Sequence, residues 1–421
     1  MKVYKFGGAS LKSAPAIRNL LNIIGHPKSQ NQLLVVVSAM AKTTNELEML
    51  LNTYLEKNNY VANLRKIKEF HWEILTNLFA DKQNPVFELL DTLMQKLQKD
   101  LENSPIDLPY DPLYDLIIGQ GEIISSRLVH AFLQEQGISC AWVDARQLIR
   151  TDSQWREGNV DWSETEKNVR EKLRPQLEAQ IVITQGFIGA NHLGEPLTLG
   201  REGSDFSAAI FAACLEADTL TIWKDVAGVF NGDPKRLPEA QLYPQLSYLE
   251  SALMSKYGAS VIHPKTIAPL ARKNIRLYVK SFLDPEKTGT CISNEVSFEL
   301  IPAVIFKEKQ VLIRFKIEEF NFLKEAELSL IFQWVHQCHL RVNYLQKTAT
   351  EVLICADNFP RRIHKLEALA QKDFIFSAQP DVELITILHP QEKTIQQVLK
   401  DKIILLESRN AELFQAIVTL G

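Results

Sequence analysis

Through the first 290 residues, short apolar runs alternate with longer stretches in which apolar residues recur every three or four positions. The short runs predict strands, and the longer stretches predict helices. The predicted strands are Lys2–Phe6, Leu33–Val37, Leu116–Ile118, Cys140–Val143, Ile181–Thr184, Leu220–Trp223 and Ile275–Val279. The predicted helices are Ala14–Ile24, Leu47–Tyr54, Glu122–Gln136, Ser163–Glu178, Asp205–Leu215 and Tyr248–Tyr257. This alternation is typical of an α/β fold, a three-layer sandwich in which helices cover both faces of a mainly parallel sheet.

Glycine divides the chain into two parts. Sixteen of the 17 glycines lie in residues 1–289, and the last is the terminal Gly421. Because glycine lets the backbone approach a ligand closely, small-molecule chemistry is expected in the first part. The turn-rich segment Asp284–Thr290 marks the boundary. We expect one domain over residues 1–295, with a helical insertion at 55–105, and a second region over 300–421.

The second region predicts two small α+β modules of strands and helices. Its predicted strands are Val311–Phe315, Leu340–Leu345, Glu351–Ala356, Val382–Leu388, Ile403–Leu406 and Ala411–Val418, and its predicted helices are Ser329–His339 and Glu392–Leu399. The neighbouring His336, Cys338 and His339 have no second pair of ligands nearby, so no metal site is predicted there.

Composition narrows the class of protein. The 47 basic and 51 acidic residues leave a net charge of −4, so no cationic field favours nucleic acid or an anionic membrane. No apolar run approaches the ~20 residues of a membrane-spanning helix, and no signal peptide is recognisable. Five widely spaced cysteines suit a reducing compartment. A cytoplasmic protein that binds neither nucleic acid nor membrane is expected.

A strand that runs into paired glycines opens the chain. Lys2–Phe6 is followed by Gly7 and Gly8 and then by a helix that begins near Ala14. Paired glycines expose backbone N–H groups, which stabilise an anion at the start of a helix. Lys5, at the strand end, could reach the same phosphate groups. The spacing is not that of a Walker A loop, and a simple tight turn is the alternative interpretation.

The segment Gly119-Gln120-Gly121-Glu122 has only a superficial likeness to a dinucleotide-binding fingerprint. Ile124 stands at the position of the third glycine, and Glu122 would put a negative charge where pyrophosphate binds. A glutamate at the start of a helix suits a ligand ammonium group or caps the helix. Both interpretations stay open at this stage.

Two further polar loops follow predicted strands. Thr198–Asp205 contains Arg201, whose planar fork suits a carboxylate or a phosphate, and it ends in an aspartate that could equally cap the next helix. Trp223–Lys235 contains Lys224 and Lys235, which would neutralise phosphate charge. Because ligands bind at the carboxyl ends of parallel strands, these loops predict one site at one edge of the sheet.

Taken in order, these motifs resemble those of aspartokinases of the amino acid kinase family. The resemblance covers nearly all of residues 1–295. The motifs that carry it are Lys5–Ser10, Val37–Asn45, Gly121-Glu122, Gln185–Gly189, Leu199–Asp205, Trp223–Pro234 and Gly258–Pro264.

The resemblance implies transfer of the γ-phosphoryl group of Mg·ATP to the β-carboxylate of L-aspartate, which gives 4-phospho-L-aspartate. It implies that Glu122 binds the substrate ammonium group and that Arg201 binds its α-carboxylate. The implied catalytic residues are Lys5, Gly8 and Asp205. The implied ATP-binding residues are Lys5, Phe6, Gly7, Gly8, Ser10, Lys224, Asp225, Phe230, Asp233 and Lys235. The implied substrate-binding residues are Ser38, Thr44, Glu122, Phe187, Arg201, Ser204 and Asp205. Mg²⁺ is expected with ATP, and no protein-held metal is expected.

Four positions depart from the family pattern. Ala9 lacks a hydroxyl beside the phosphates, Glu202 adds a negative charge where anions gather, and Ser260 stands where many members have a lysine. Lys224 stands where a threonine is common, and we hypothesise that it restores the cation missing at Ser260. Two alternatives therefore stay open: a kinase for another carboxylate substrate, and a catalytically silent regulator that binds an amino acid or a nucleotide.

Residues 300–421 resemble a degenerate pair of ACT modules. In this family such modules dimerise the chain and bind lysine or threonine as feedback inhibitors, so the resemblance implies a homodimer and an effector. Asn343 replaces a common aspartate and Ala349 a common glutamate of the effector loop. A regulated enzyme and a weakly sensitive one are equal alternatives, and a purely dimerising module is a third.

Overall fold

The computed structural model describes residues 1–25, 32–104, 108–259, 262–296, 301–318 and 321–420. Contacts divide the chain into two compact units. The first unit consists of Met1–Val229, Leu242–Ala252 and Ile262–Phe298, and the second of Phe230–Gln241, Leu253–Val261 and Glu299–Gly421. The second unit therefore includes two short segments, Phe230–Gln241 and Leu253–Val261, that lie within the part of the sequence otherwise assigned to the first unit.

The first unit is built around an eight-stranded sheet, counted over the described residues. The strands of this unit are β1 Lys2–Phe6, β2 Leu33–Val37, β3 Cys140–Trp142, β4 Ile181–Gln185, β5 Ile188–Ala190, β6 Pro196–Thr198, β7 Thr219–Lys224, β8 Gln245–Ser247, β9 Arg276–Ser281 and β10 Thr290–Ser293. The order in the sheet is β3-β4-β2-β1-β7-β9-β10-β8. Neighbouring strands are parallel except β9 and β10. Strands β5 and β6 form a separate antiparallel pair.

Helices cover both faces of this sheet. All five residues of β2 are fully buried, which explains why Leu33–Val37 is a continuous apolar run without alternation. The helices of residues 1–272 are α1 Ala14–Gly25, α2 Thr43–Leu55, α3 Val61–Leu78, α4 Val86–Glu102, α5 Tyr110–Ile118, α6 Gln120–Glu135, α7 Trp162–Asn168, α8 Arg174–Ala179, α9 Gly203–Leu215, α10 Tyr248–Tyr257 and α11 Pro264–Arg272. Of α10, only the part up to Ala252 belongs to the first unit. The expected α/β sandwich with a mainly parallel sheet is confirmed.

Two predicted elements of the first unit need correction. Leu116–Ile118 is not a strand but the last turn of α5, which buries Leu113, Ile117 and Ile118 on one face. An apolar run of three residues is too short to distinguish a strand from a helix. The predicted helix Ser163–Glu178 is interrupted by a π-helical turn at Val169–Leu173, where Pro175 cannot donate the next backbone hydrogen bond.

The second unit is built around a six-stranded antiparallel sheet within the described residues. Its strands are β11 Ala303–Lys316, β12 Val342–Lys347, β13 Glu351–Asp357, β14 Ile375–Leu388, β15 Lys402–Arg409 and β16 Leu413–Leu420, in the order β12-β13-β11-β14-β16-β15. Its helices are α12 Glu325–Gln337, α13 Pro360–Ala370 and α14 Glu392–Leu399. Helix α13 has no counterpart in the predicted elements, although Pro360 at its start is a typical first helical residue.

The two long strands of this sheet explain how two modules share it. Residues 303–307 of β11 pair with residues 384–388 at the end of β14, and residues 312–316 pair with residues 375–379 at its beginning. The register shifts around Gln310, between these halves. Each half of the β11–β14 pair can therefore form part of one α+β module, which is the arrangement that the prediction of two modules requires. In the part of the chain that the structure describes, no helix is long and apolar enough to cross a membrane.

Candidate active site

A cleft of about 710 Å³ lies in the first unit, at the carboxyl ends of β1, β2 and β7. The register of the sheet explains this gathering, because Phe6 pairs with Val37 on one side and with Trp223 on the other. Thirteen of the predicted site residues line the cleft: Lys5, Gly7, Gly8, Ser10, Ser38, Thr44, Glu122, Phe187, Arg201, Ser204, Asp205, Lys224 and Asp225. The prediction that the separate motifs meet at one sheet edge agrees with this geometry.

The paired glycines form the turn that leaves β1. A Cβ atom on Gly8 would lie 2.8 Å from the carbonyl oxygen of Ala41 and 2.9 Å from that of Ala39. Both neighbours are backbone atoms, which cannot move aside as a flexible side chain can. Only glycine therefore fits at this position, where the chain passes into a short 3₁₀ turn at Gly8–Leu11.

Three charged side chains meet in the cleft. Lys5 Nζ lies 2.6 Å from Asp205 Oδ1, and Lys224 Nζ lies 3.7 Å from Asp205 Oδ2. Asp205 sits in the first turn of α9, and its carboxylate faces these lysines, so it does not act as the helix N-cap. Burial by itself raises the pKa of Asp205, but the charges of Lys5 and Lys224 outweigh burial and lower that pKa. Two cations thus face one carboxylate, a net positive cluster.

Glu122 presents a buried carboxylate to the same cleft. It is 3% exposed, and its Oε1 accepts a hydrogen bond from the Ala39 N–H at 3.3 Å. Within the described residues its Oε2 has no hydrogen-bond partner. Burial raises the pKa of Glu122 to about 8, although the Ala39 N–H and the charge of Lys5 act in the opposite direction. A cationic ligand group would supply the missing partner and restore the carboxylate charge.

The loop before α9 brings Arg201 to the cleft. Arg201 is exposed, and it has no ion-pair partner among the residues that the structure describes. Glu202, one of the departures from the family pattern, adopts a left-handed backbone conformation with φ of 54°. Its carboxylate accepts a hydrogen bond from the His263 N–H at 3.0 Å, at the start of α11. The added negative charge therefore has a structural partner at a helix N-terminus, which stabilises it.

Four predicted residues do not line this cleft. The Phe6 side chain is fully buried and stacks on Trp223, with ring centroids 6.0 Å apart. Phe230, Asp233 and Lys235 lie in the segment Phe230–Gln241, which belongs to the second unit. Their role in ATP binding stays a prediction. Ser260 lies outside the described residues, so the hypothesis that Lys224 compensates for it also stays a prediction.

The cleft also contains residues that the sequence did not indicate. Tyr114, Arg156, Glu157 and Thr198 line it. The Arg156 guanidinium lies 4.2 Å from the centroid of the Tyr114 ring, and the Arg156 N–H donates to the buried carboxylate of Asp115. Arg156 has a φ of 67°, a left-handed conformation that no sequence pattern marks in a residue other than glycine.

The protein groups of the cleft do not form a metal-binding cluster. No group of three or more His, Cys, Asp or Glu side chains with metal-binding geometry occurs in the described part of the chain. Asp205, the carboxylate closest to the lysines, is already engaged by both of them. The site instead offers cations and backbone amides, which are the groups that bind phosphate.

Residues 1–281 match the amino acid kinase family. The chain belongs to the amino acid kinase family. It is 30% identical over 357 residues to lysine-sensitive aspartokinase 3 of Escherichia coli K12, an alignment that covers 84% of this chain and 78% of that protein. The solved structure of E. coli aspartokinase III in complex with lysine and aspartate superimposes with a TM-score of 0.84 and 25% identity, over 100% of this chain and 96% of that chain. The predicted resemblance to aspartokinases is confirmed.

Many aspartokinase relatives are longer than this chain. The chain spans 32% of the maize bifunctional aspartokinase/homoserine dehydrogenase 1 and 46% of the corresponding Buchnera aphidicola enzyme, to which it is 33% and 28% identical. The match to the E. coli structure extends through the six-stranded sheet, because it covers the whole chain. An aspartokinase-like α/β unit followed by ACT-like modules is therefore the architecture of this chain.

Proposed function

We propose that the protein is an aspartate kinase, which transfers the γ-phosphoryl group of ATP to the β-carboxylate of L-aspartate. The observation that carries this proposal is the unpartnered oxygen of the buried Glu122 in a cleft that also holds the Lys5–Asp205–Lys224 cluster. Glu122 can bind an ammonium group, and the cluster of Lys5 and Lys224 with Asp205 carries a net positive charge that can bind an anion. The complex of E. coli aspartokinase III with aspartate and ADP supports the same pair of ligands.

The reaction needs alignment and charge screening rather than proton transfer. The β-carboxylate of aspartate is ionised at neutral pH, so its oxygen attacks the γ-phosphorus directly while the bond to the bridging oxygen of ADP breaks. At ~4 Å and an effective dielectric constant of ~20, each pair of unit negative charges repels by about 4 kcal/mol. We assign Lys5, Lys224 and the Gly7 and Gly8 amides to offset this repulsion.

The same cleft can distinguish an amino diacid from other carboxylates. We assign the substrate ammonium group to Glu122 and its α-carboxylate to Arg201, with Ser38, Thr44, Phe187 and Ser204 lining the pocket. These contacts fix the substrate at its amino acid end, and so they determine where its second carboxylate lies. Proximity of this kind lowers the entropic part of the barrier.

We treat Mg²⁺ as part of the co-substrate Mg·ATP. The cations and amides of the cleft fit the phosphate groups of such a complex, and Mg²⁺ commonly takes most of its ligands from phosphates and water with few from protein. Bound to the phosphates, the ion would neutralise part of their charge. Asp225, at the end of β7 in the cleft, is the carboxylate that we assign to its neighbourhood.

We further propose that catalysis lies in residues 1–295 and that residues 300–421 dimerise the chain and bind lysine or threonine. Both edge strands of the second sheet, β12 and β15, expose apolar side chains: Leu345, Ile403 and Ile404 are 45%, 55% and 44% exposed. Unpaired edge strands of this kind pair readily with a second copy. The E. coli relative is described as lysine-sensitive. Use of ATP and five free cysteines support a cytoplasmic location.

A hydroxylamine trap tests the proposed reaction. Purified protein with Mg·ATP and L-aspartate is expected to give aspartyl hydroxamate, whereas L-glutamate, one methylene longer, is expected to give at most a few per cent of that rate. Hydroxamate from glutamate but not from aspartate would indicate a related kinase with another substrate. No hydroxamate from any amino acid, together with measurable binding of ADP or aspartate, would indicate the silent regulator.

A further inference from the structure

Asp115, on α5, is a fully buried carboxylate that lies next to the cleft. Its Oδ1 accepts a hydrogen bond from Thr198 Oγ1 at 2.6 Å, and its Oδ2 accepts one from the Arg156 N–H at 2.8 Å. Both donors belong to residues that line the cleft, whereas Asp115 does not line it. Asp115 therefore joins two cleft-lining segments of the first unit to α5.

A carboxylate suits the position of Asp115 better than an amide would. The N–H of Arg156 can only donate, and the hydroxyl of Thr198 donates as well. A carboxylate accepts at both oxygens, whereas an asparagine would turn its own N–H group toward one of the two donors. Burial raises the pKa of Asp115, although these hydrogen bonds and the charge of Arg156 act in the opposite direction. The hydrogen bonds offset part of the free energy that burial of the carboxylate costs.

The two cleft-lining segments also contact each other. The Gly158 N–H donates to the Thr198 carbonyl oxygen at 3.0 Å. A Cβ atom on Gly200 would lie 2.9 Å from Glu157 Cγ, so the segments pack closely there. Gly200 has a φ of 75°, a conformation that glycine adopts without strain. The backbone that leads to Arg201 is therefore packed against the same segment that the buried carboxylate holds.

Helix α5 also contacts the side chain of Arg156. The guanidinium lies 4.2 Å from the centroid of the Tyr114 ring and 5.8 Å from that of Tyr110. Its Nη1 lies 3.4 Å from Asp111 Oδ1. Because the left-handed backbone of Arg156, with a φ of 67°, is unfavourable for a residue other than glycine, these contacts with α5 must stabilise it.

The same helix leads directly to Glu122. Helix α5 is followed by Gly119 and then by α6, so Glu122 follows Asp115 by seven positions. A Cβ atom on Gly119 would lie 3.1 Å from the Asp115 carbonyl oxygen, which shows that the junction of the two helices is tight. The junction thus relates the position of Glu122 to that of the segments that Asp115 holds.

We propose that Asp115 is a positioning residue for the amino acid end of the substrate, because it fixes the loop that carries Arg201 relative to Glu122. The inference rests on the proposed function, which assigns the substrate ammonium group to Glu122 and its α-carboxylate to Arg201. Asp115 acts through these two groups by setting the spacing between them. Loss of its hydrogen bonds therefore weakens the binding of aspartate and leaves the binding of ATP unchanged.

The first test removes one hydrogen bond at a time. Asp115→Asn keeps the size of the side chain but replaces one acceptor by a donor, so the KM and the Kd for aspartate are expected to rise about tenfold. The KM for ATP is expected to stay within about twofold. Thr198→Val removes the hydroxyl donor and is expected to raise the same two constants. Thr198→Ser keeps the donor and is expected to stay within about twofold of the wild type.

Thr184→Val is the matched control. Thr184 is also fully buried, and its hydroxyl donates to the Val143 carbonyl oxygen at 2.9 Å, but it does not line the cleft. All constants of this variant are expected to stay within about twofold of the wild type. An increase in the KM for aspartate equal to that of Thr198→Val would overturn the inference.

The second test asks whether Asp115 acts through Arg201. In the Arg201→Ala background, Asp115→Asn is expected to change the KM for aspartate by less than about a further twofold, because the group that it positions is absent. Additive effects of the two substitutions overturn the inference, and so does an equal rise of the KM for ATP and for aspartate in Asp115→Asn. An unchanged KM for aspartate in Asp115→Asn also overturns it.

The remaining outcomes separate this inference from the proposed function. If Asp115→Asn does not fold, Thr198→Val and Thr198→Ser decide by the same constants, and an unchanged Kd for aspartate in Thr198→Val overturns the inference. A wild-type protein that makes no hydroxamate but binds aspartate in calorimetry would refute the proposed reaction. A weaker Kd for aspartate in Asp115→Asn, with an unchanged Kd for Mg·ADP, would then support the role of Asp115. A wild-type protein that binds no aspartate would refute both.

Discussion

Each unit contains a group of charged and polar side chains that are partly or fully buried, and the two groups differ in whether all their members have partners. In the second unit, Lys307 Nζ lies 2.7 Å from Asn343 Oδ1 and 3.0 Å from Asp357 Oδ1, while Gln310 and Asn343 both donate to Asp357 at 3.0 Å. In the first unit, by contrast, Glu122 Oε2 has no partner in the described residues. The group in the first unit lines a cleft of about 710 Å³.

This difference distinguishes a structural network from a binding site. Buried polar groups that satisfy one another stabilise a fold, whereas a buried group without a partner costs free energy unless a ligand completes it. The network around Gln310 lies at the register shift between β11 and β14 and explains how polar residues fit there. The cleft keeps an unpartnered carboxylate because, in our account, its partner is the substrate.

The largest expected effect comes from Lys5, in the cleft. Lys5→Met removes a cation that we assign to the transferred phosphoryl group, so we expect kcat/KM to fall about 10³-fold in the hydroxamate assay. Lys307→Met, the matched change in the network of the second unit, is expected to lower stability and leave kcat within about twofold. If Lys307→Met reduced kcat as much as Lys5→Met does, the distinction between the two groups would be wrong.

The next largest effect is expected at Glu122, which we assign to the ammonium group of aspartate. Glu122→Gln keeps the shape of the side chain and can still accept the Ala39 hydrogen bond. It removes the charge that we assign to the binding of the substrate ammonium group. We expect the KM for aspartate to rise about 100-fold and the KM for ATP to change less than about twofold. Equal increases in both constants would show that Glu122 supports the whole cleft and does not recognise the substrate.

A change in the network of the second unit should affect stability instead. Asp357→Ala removes the acceptor shared by Lys307, Gln310 and Asn343, so we expect the free energy of unfolding, measured in urea, to fall by about 2 kcal/mol. Glu392→Ala is the control, because Glu392 forms an exposed ion pair with Arg409 at 2.8 Å. This change is expected to alter the free energy of unfolding by less than about 0.5 kcal/mol. Unaltered stability in Asp357→Ala would contradict a structural role for this network.

The sequence anticipated the site better where chemistry lies in a motif than where it depends on tertiary contacts. Lys5, Glu122 and Arg201 each stand in a glycine-rich segment at the end of a strand or the start of a helix, and all three reach the cleft. Arg156 could not be found in this way, because its left-handed backbone and its stacking on Tyr114 come from folding. The assignment of Leu116–Ile118 to a strand was wrong because an apolar run of three residues does not distinguish a strand from the end of a helix such as α5.

The boundary between the units could also not be predicted from the order of residues along the chain. Glycine content separates residues 1–289 from the rest of the chain, yet the segment Phe230–Gln241 belongs to the second unit. One contact of this segment with the rest of the second unit joins Arg236 to Glu383, 147 residues away. No composition shift marks an ion pair between residues so far apart in sequence.

The most direct test of the account is the number of protons released when L-aspartate binds. Because burial raises the pKa of Glu122 to about 8, this side chain is mostly protonated at pH 7 in the free protein. An ammonium group bound to Glu122 would lower that pKa, so binding should release up to about one proton at pH 7 and much less at pH 9. Titration calorimetry in two buffers of different ionisation enthalpy measures this number, with Mg·ADP present and absent. We expect proton release that Glu122→Gln abolishes. Binding of aspartate without proton release at pH 7, or release that persists in Glu122→Gln, would contradict the assignment of Glu122 to the substrate ammonium group.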